Sequence, residues 1–254
     1  MSARAPLRAL LLDLDDTLLV NPMATFIPAY FQALTRYVAG HVPPERLIAE
    51  LLRATRAMDG NDGSGPTNQE TFAAHFYPAL GVERAELEPV LERFYAEAFP
   101  ALRVLARRLP EAREIVRWAF DHDLQVAIAT NPLFPRTAIA QRLEWAGVPE
   151  REFPYALVTT YEDTHATKSH PAYYREILAA LGRAPAECLM VGDDWGWDIE
   201  PTVTMGMAAY WIADPAAPRP RPELAVLGQG RLGDFWRVVE RHGQELLAGG
   251  AAGG

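Results

Sequence analysis

Apolar residues fill positions 10–12 and resume at 14 and 18–19, while aspartates stand at 13, 15 and 16 and a threonine at 17. A short apolar run closed by polar residues reads as a strand buried on both faces of a parallel sheet, with Asp13 and Asp15 at its carboxyl end. In an open α/β sheet, ligands bind in the crevice outside that end. Side chains alternate along a strand, so Asp13 and Asp15 are expected to enter one site together.

From 23 to about 108 the pattern changes to helical spacing. Phe26, Tyr30, Phe31, Leu34, Tyr37 and Val38 recur on one face, and Leu47, Ile48, Leu51 and Leu52 do so after the break at Pro43 and Pro44. Gly60, Gly63, Gly65 and Pro66 make 58–67 a loop, read as a flexible connector between helices. Further helices are expected at 69–80 and 87–99, and no strand in this stretch. Beyond Pro110 the period alternates. Helices are expected from 110 and at 137–146, 171–181 and 232–247, with strands at 124–129, 155–159, 187–191, 208–212 and 225–227. The alternation predicts an α/β fold: a Rossmann-like, doubly wound, mainly parallel sheet with an inserted α-helical cap. The expected division is a discontinuous catalytic core of 1–19 and 109–254 and a helical cap domain of 20–108.

Composition narrows the partners. With 254 residues and 49% hydrophobic content the chain can bury a substantial core, and a net charge of −9 argues against binding nucleic acid or an anionic membrane. No segment has the apolar length of a membrane span, and the aspartates interrupt the N-terminal apolar run before it could act as a secretory signal. Cys188 is the single cysteine, so no internal disulfide is possible and a buried thiol in a reducing cytoplasm is expected. The stretch 249–254 is glycine-rich and reads as a frayed tail.

Polar clusters fall at strand ends or in nearby loops: Asp13 with Asp15, Thr130 with Asn131, and Asp193 with Asp194 and Asp198, while Lys168 lies in a loop between strands. Any one cluster alone is an ordinary turn or helix cap. Right-handed crossovers bring all the strand ends to one edge, so together they can form a site. Two carboxylates about 6.5 Å apart repel by about 2.5 kcal/mol at an effective dielectric near 20, and the later aspartates add to this. The cluster therefore needs a cation, and oxygen ligands without His or Cys at ligand spacing select Mg²⁺. Lys168 is the only lysine in the chain, every other basic side chain of that class being arginine. A compact ammonium can reach between a carboxylate and a phosphoryl oxygen where a guanidinium would not serve. Trp195 and Trp197 flank Gly196, where substrate contact and packing are both open, and His165 and His170 are expected as solvated loop residues.

These motifs resemble those of the haloacid dehalogenase superfamily of aspartate-nucleophile phosphohydrolases. Asp13-Leu14-Asp15-Asp16-Thr17 is similar to the first motif, Thr130-Asn131 to the second, Lys168-Ser169-His170-Pro171 to the third, and Gly192-Asp193-Asp194 through Asp198 to the fourth. Ser169 stands where the third motif usually has proline. The insertion between the first two motifs resembles the helical cap class. The resemblance implies that Asp13 is the nucleophile, Asp15 the acid and base, and Lys168 the charge-neutralising cation. It further implies that Thr130 and Asn131 hold the phosphoryl group, and that Asp13, the Asp15 carbonyl and Asp193, with Asp194 or Asp198, hold Mg²⁺. Asp15 favours phosphoester over halide chemistry, because halide needs no proton on leaving. The expectation is a cytoplasmic phosphatase of a small phosphorylated metabolite, monomeric or homodimeric. A phosphomutase or phosphotransferase, a haloacid dehalogenase and a non-catalytic binding protein remain as alternatives.

Overall fold

The computed structural model describes residues 5–249; positions 1–4 of the expected core and 250–254 of the glycine-rich tail lie outside the described residues. The first strand, β1 (Ala9–Leu12), is buried at every position. After β2 (Leu19–Val20) come four helices, α1 (Met23–Tyr37), α2 (Pro44–Asp59), α3 (Asn68–Leu80) and α4 (Arg84–Glu97). A 3-10 turn at Phe99–Leu105 then leads to β3 (Arg107–Arg108). The remainder alternates through α5 (Pro110–Asp121), β4 (Gln125–Ile128), α6 (Arg136–Ala146), β5 (Leu157–Val158), α7 (Pro171–Leu181) and β6 (Cys188–Gly192). It closes with α8 (Glu200–Thr204), β7 (Ala208–Ile212), β8 (Gly228–Gly230) and α9 (Leu232–Leu247). Local signals explain several boundaries. Pro44, Pro110 and Pro171 open α2, α5 and α7, where a missing N–H costs nothing, and Thr67 caps α3 by accepting from the Glu70 N–H at 3.3 Å.

Among the described residues, six strands form one sheet in the order β5-β4-β1-β6-β7-β8, every pair parallel. The chain leaves β1 first for one neighbour and later for the other, so the strand order reverses there, and such a switch point is where ligands bind. Leu12 lies level with Ile128 and Val191, so the residues that follow β1, β4 and β6 emerge side by side. The two faces of β1 belong to two cores. Leu10 and Leu12 join the larger one, which runs through α5 and α9 and out to Phe26, Phe94 and Phe99 in the helical segment. Ala9 and Leu11 pack with Tyr173, Tyr174 and Ile177 of α7. Each fully buried leucine contributes about 1.5–3 kcal/mol relative to exposure.

Two sequence expectations fail. The last strand forms at Gly228–Gly230 instead of 225–227, because an edge strand here needs only backbone pairing to β7 and its Gly-Gln-Gly segment has no apolar signature. A strand does occur in the stretch expected to have none: Arg107 and Arg108 pair antiparallel with Val20 and Leu19, closing the two ends of the helical segment together. Both arginines are exposed and carry no strand pattern.

Candidate active site

Beyond Leu12 the chain turns sharply. The Leu18 and Leu19 N–H groups both donate to the Leu14 carbonyl at 3.0 Å, and Asp16 takes a left-handed φ of 57°. Aspartate visits that region more readily than most residues. The turn begins at Leu14, and the two aspartates take different partners.

Asp13 is buried and accepts a hydrogen bond from Lys168 Nζ at 2.6 Å; the same ammonium donates to Asp198 Oδ1 at 2.6 Å. Carboxylate oxygens of Asp13, Asp193 and Asp198 lie within 4.8 Å of one another. At that separation each charged pair repels by at least about 3.5 kcal/mol at an effective dielectric near 20. Burial, then the nearness of Asp13 and Asp198, raises the Asp193 pKa; burial also raises that of Asp198, against the pull of Lys168. Burial alone would push the Lys168 ammonium down, but the two carboxylates outweigh it and hold the pKa above its ordinary value. One ammonium cannot balance three carboxylates. Their oxygens are the donors a hard divalent cation takes, so the trio can hold a metal ion.

Backbone geometry sets this closeness. An added Cβ on Gly192 would stand 2.6 Å from Asp198 Cβ and closer still to its carboxylate, so only glycine lets Asp198 lie against the end of β6. Asp198 is further held by the Asp194 N–H at 3.2 Å and by Tyr174 Oη at 3.2 Å. Asp194 itself stands apart. It is exposed, and its Oδ1 accepts from the Trp197 N–H at 2.8 Å, capping the turn at Trp195–Ile199. Trp195 is buried edge-on to Trp211, with ring centroids 5.0 Å apart, whereas Trp197 is exposed.

Asp15 faces another partner. Its Oδ2 is paired with Arg142 Nη1, and its Oδ1 accepts from Asn21 Nδ2 at 2.8 Å. The pKa of Asp15 is raised chiefly by burial, with Arg142 and Asn21 opposing; the nearness of Asp13 adds a smaller push. Thr130 is buried, and its carbonyl accepts from Thr159 Oγ1 at 2.7 Å and Tyr173 Oη at 2.9 Å. Asn131 Oδ1 accepts from the Lys168 N–H at 3.3 Å, tying the loop after β4 to the loop that carries the lysine.

The lysine loop is also fastened to the helical segment. Ser169 Oγ and His170 Nε2 donate to the Asp59 carbonyl at the end of α2, at 3.2 and 2.8 Å. The fully buried Asn68 donates to the Ala166 carbonyl at 3.1 Å, its N–H donates to the Thr164 carbonyl at 2.8 Å, and its Oδ1 accepts from Asn61 at 3.0 Å. The two ends of the 58–67 loop are thus tied by polar contacts to the lysine loop, while residues 62–66 are exposed. The histidines are not simply solvated either: His165 Nδ1 donates to Glu176 at 2.7 Å, and His170 holds Asp59. Cys188 is buried, and that burial pushes its thiol up to about 11, which disfavours the thiolate at neutral pH.

Sequence reasoning missed Arg142, Asn21 and Tyr174. Arg142 alone had a signal, since it sits on the apolar face of α6 with Ala138, Ile139, Trp145 and Ala146. A charge there calls for a buried partner, but the partner's position is a tertiary matter.

The model of the haloacid dehalogenase-like hydrolase family matches residues 7–202. A phosphoserine phosphatase of Thermus thermophilus is 28% identical over 250 residues, covering 87% of this chain and 95% of that protein. Among solved structures, the 2-haloacid dehalogenase of Pseudomonas syringae superposes with a TM-score of 0.61 at 20% identity, covering 92% of this chain and 99% of that one. A HAD phosphatase of Thermococcus onnurineus does so with a TM-score of 0.55 at 21% identity, covering 92% and 98%. At such identities the structures share the fold.

Proposed function

The chain belongs to the haloacid dehalogenase-like hydrolases, and on that premise we propose that it is a Mg²⁺-dependent phosphatase of a small phosphorylated metabolite. In this reading 1–19 and 109–254 form the catalytic core and 20–108 the cap, and the protein works in the cytoplasm as a monomer or homodimer. The observation that carries the proposal is Lys168, buried between Asp13 and Asp198 at the tip of β1 with Asp193 beside them.

Asp13 attacks phosphorus in line. The bond from Asp13 to phosphorus forms, the ester P–O bond breaks, and the leaving oxygen takes a proton from Asp15. Water then attacks the aspartyl-phosphate, Asp15 takes its proton, and phosphate leaves with the Asp13 carboxylate restored. Lys168 offsets charge on the phosphoryl oxygens and fixes Asp13, while Thr130 and Asn131 hold the transferred group. Asp13, Asp193 and Asp198 would hold Mg²⁺, which when bound supplies charge stabilisation for the phosphoryl group. To act at the leaving oxygen, Asp15 must be shared with or released from Arg142.

A panel of phosphomonoesters, phosphoserine included because of the Thermus relative, tests the reading with and without Mg²⁺. Turnover that requires Mg²⁺ and is lost in Asp13→Asn supports it; full activity in Asp13→Asn overturns it.

A further inference from the structure

A cavity of about 250 Å³ lies between the four helices and the loop that follows Asn131. Its walls are aromatic and aliphatic, with Phe31, Leu51, Phe72 and Leu91 from the helices facing Leu133 and Phe134 from the loop. The phenols of Tyr30 and Tyr95, also in the wall, share one hydrogen bond at 2.8 Å, and Thr55, Gln69, Tyr77, Thr137 and Tyr161 add a few polar groups to a wall that is otherwise apolar. The charged side chains that line it are all carboxylates, Glu88, Glu92 and Glu162, with no Lys, Arg or His among the lining residues.

The cavity lining includes none of Asp13, Asp15, Thr130, Asn131 and Lys168, and two links connect its wall to the reaction centre. The loop that carries Thr130 and Asn131 continues directly into the cavity wall, and the Leu133 N–H donates to the Asn131 carbonyl at 2.8 Å. On the other side, the guanidinium paired with Asp15 stands 4.6 Å over the Phe134 ring. Asp15 is the group that would protonate the leaving oxygen, so the wall of the cavity and the proton donor share one neighbour.

We propose that this cavity receives the leaving group of the phosphomonoester, and that this group is an uncharged, apolar alcohol or phenol and not a carboxylate-bearing one. The inference rests on the phosphatase reading and names the substrate class for it. An apolar protein cavity of about 150 Å³ takes up benzene, so the present volume suits a guest of roughly six to ten carbons. A carboxylate such as that of phosphoserine would meet Glu88, Glu92 and Glu162 there and no cationic side chain among the lining residues.

The test is a series of n-alkyl phosphates from ethyl to octyl with the Mg²⁺-supplied protein. Leaving-group acidity is nearly constant along such a series, so the chemistry stays fixed while buried area grows. We expect kcat/KM to rise about three- to fourfold per methylene until the cavity is full, and hexyl phosphate to exceed phosphoserine. Leu51→Trp and Thr55→Phe fill the cavity from α2; either one, if shown by its thermal melt to be folded, is expected to flatten the slope. Calorimetric binding of n-hexanol to the wild-type protein, lost in the filled variant, is the matching readout without turnover. Turnover of ethyl phosphate with a flat series, or phosphoserine preferred over hexyl phosphate, overturns the apolar assignment and leaves the phosphatase reading standing. Failure to turn over any ester overturns both.

Discussion

The guanidinium of Arg142, fully buried on α6, is paired with the carboxylate of Asp15 and lies against the ring of Phe134. The pair sets two demands at once. A buried charge whose partner is removed costs several kcal/mol, and a proton carrier held by a guanidinium is fixed in place.

Arg142→Gln is accordingly expected to lose stability by about 3–5 kcal/mol in chemical denaturation. Adding Asp15→Asn should return part of that loss, because no unpaired carboxylate then stays buried. In turnover, Arg142→Gln should lose at least tenfold on alkyl phosphates but much less on nitrophenyl phosphate, whose leaving group needs little proton assistance. Equal losses on both would mean that Arg142 does not position Asp15 for that step.

Metal and pH are linked through Asp193. Folding raises its pKa above that of the unfolded chain, so the metal-free folded protein holds the proton more tightly. That contribution is fully present below the ordinary carboxylate range near pH 4 and is lost as pH rises into the neutral range. With chelator present, the melting temperature of wild type should fall more between pH 5 and 8 than that of Asp193→Asn. Mg²⁺ at pH 8 should raise the wild-type melting temperature and raise that of Asp193→Asn less.

Gly192 offers a purely steric test. Alanine there must displace Asp198 from the end of β6, and so from Lys168. The expected cost is about 1–3 kcal/mol of stability from overpacking, with a fall of tenfold or more in turnover. A Gly192→Ala protein with wild-type kinetics would show that Asp198 need not lie where it does.

Asn68 tests the tie to the lysine loop. Its side chain is buried and holds the Ala166 carbonyl two residues before Lys168. Asn68→Ala should cost about 1–3 kcal/mol, since the carbonyl is left unsatisfied. Native-state hydrogen exchange should then quicken at residues 164–168 while the amides of β1 keep their protection.

The apolar period and the order of Asp13, Thr130, Lys168 and Asp193 were enough to read the alternating architecture, the helical insertion and the grouping of these residues at one sheet edge. That information is local or follows from handedness: a buried strand must be apolar, and right-handed crossovers put its end beside its neighbours' ends. Partners far apart in sequence were not legible. The pairing of Asp15 with Arg142, the contact of Tyr174 with Asp198 and the clasp from Asn68 to Ala166 join residues by packing, which no periodicity records. The strands at Arg107–Arg108 and Gly228–Gly230 form through backbone pairing, to which an apolar side-chain pattern is blind. Sequence thus determined which chemical groups reach the edge of the sheet, because burial selects residue type. Tertiary structure alone decided which of them touch, because contact depends on where the chain returns.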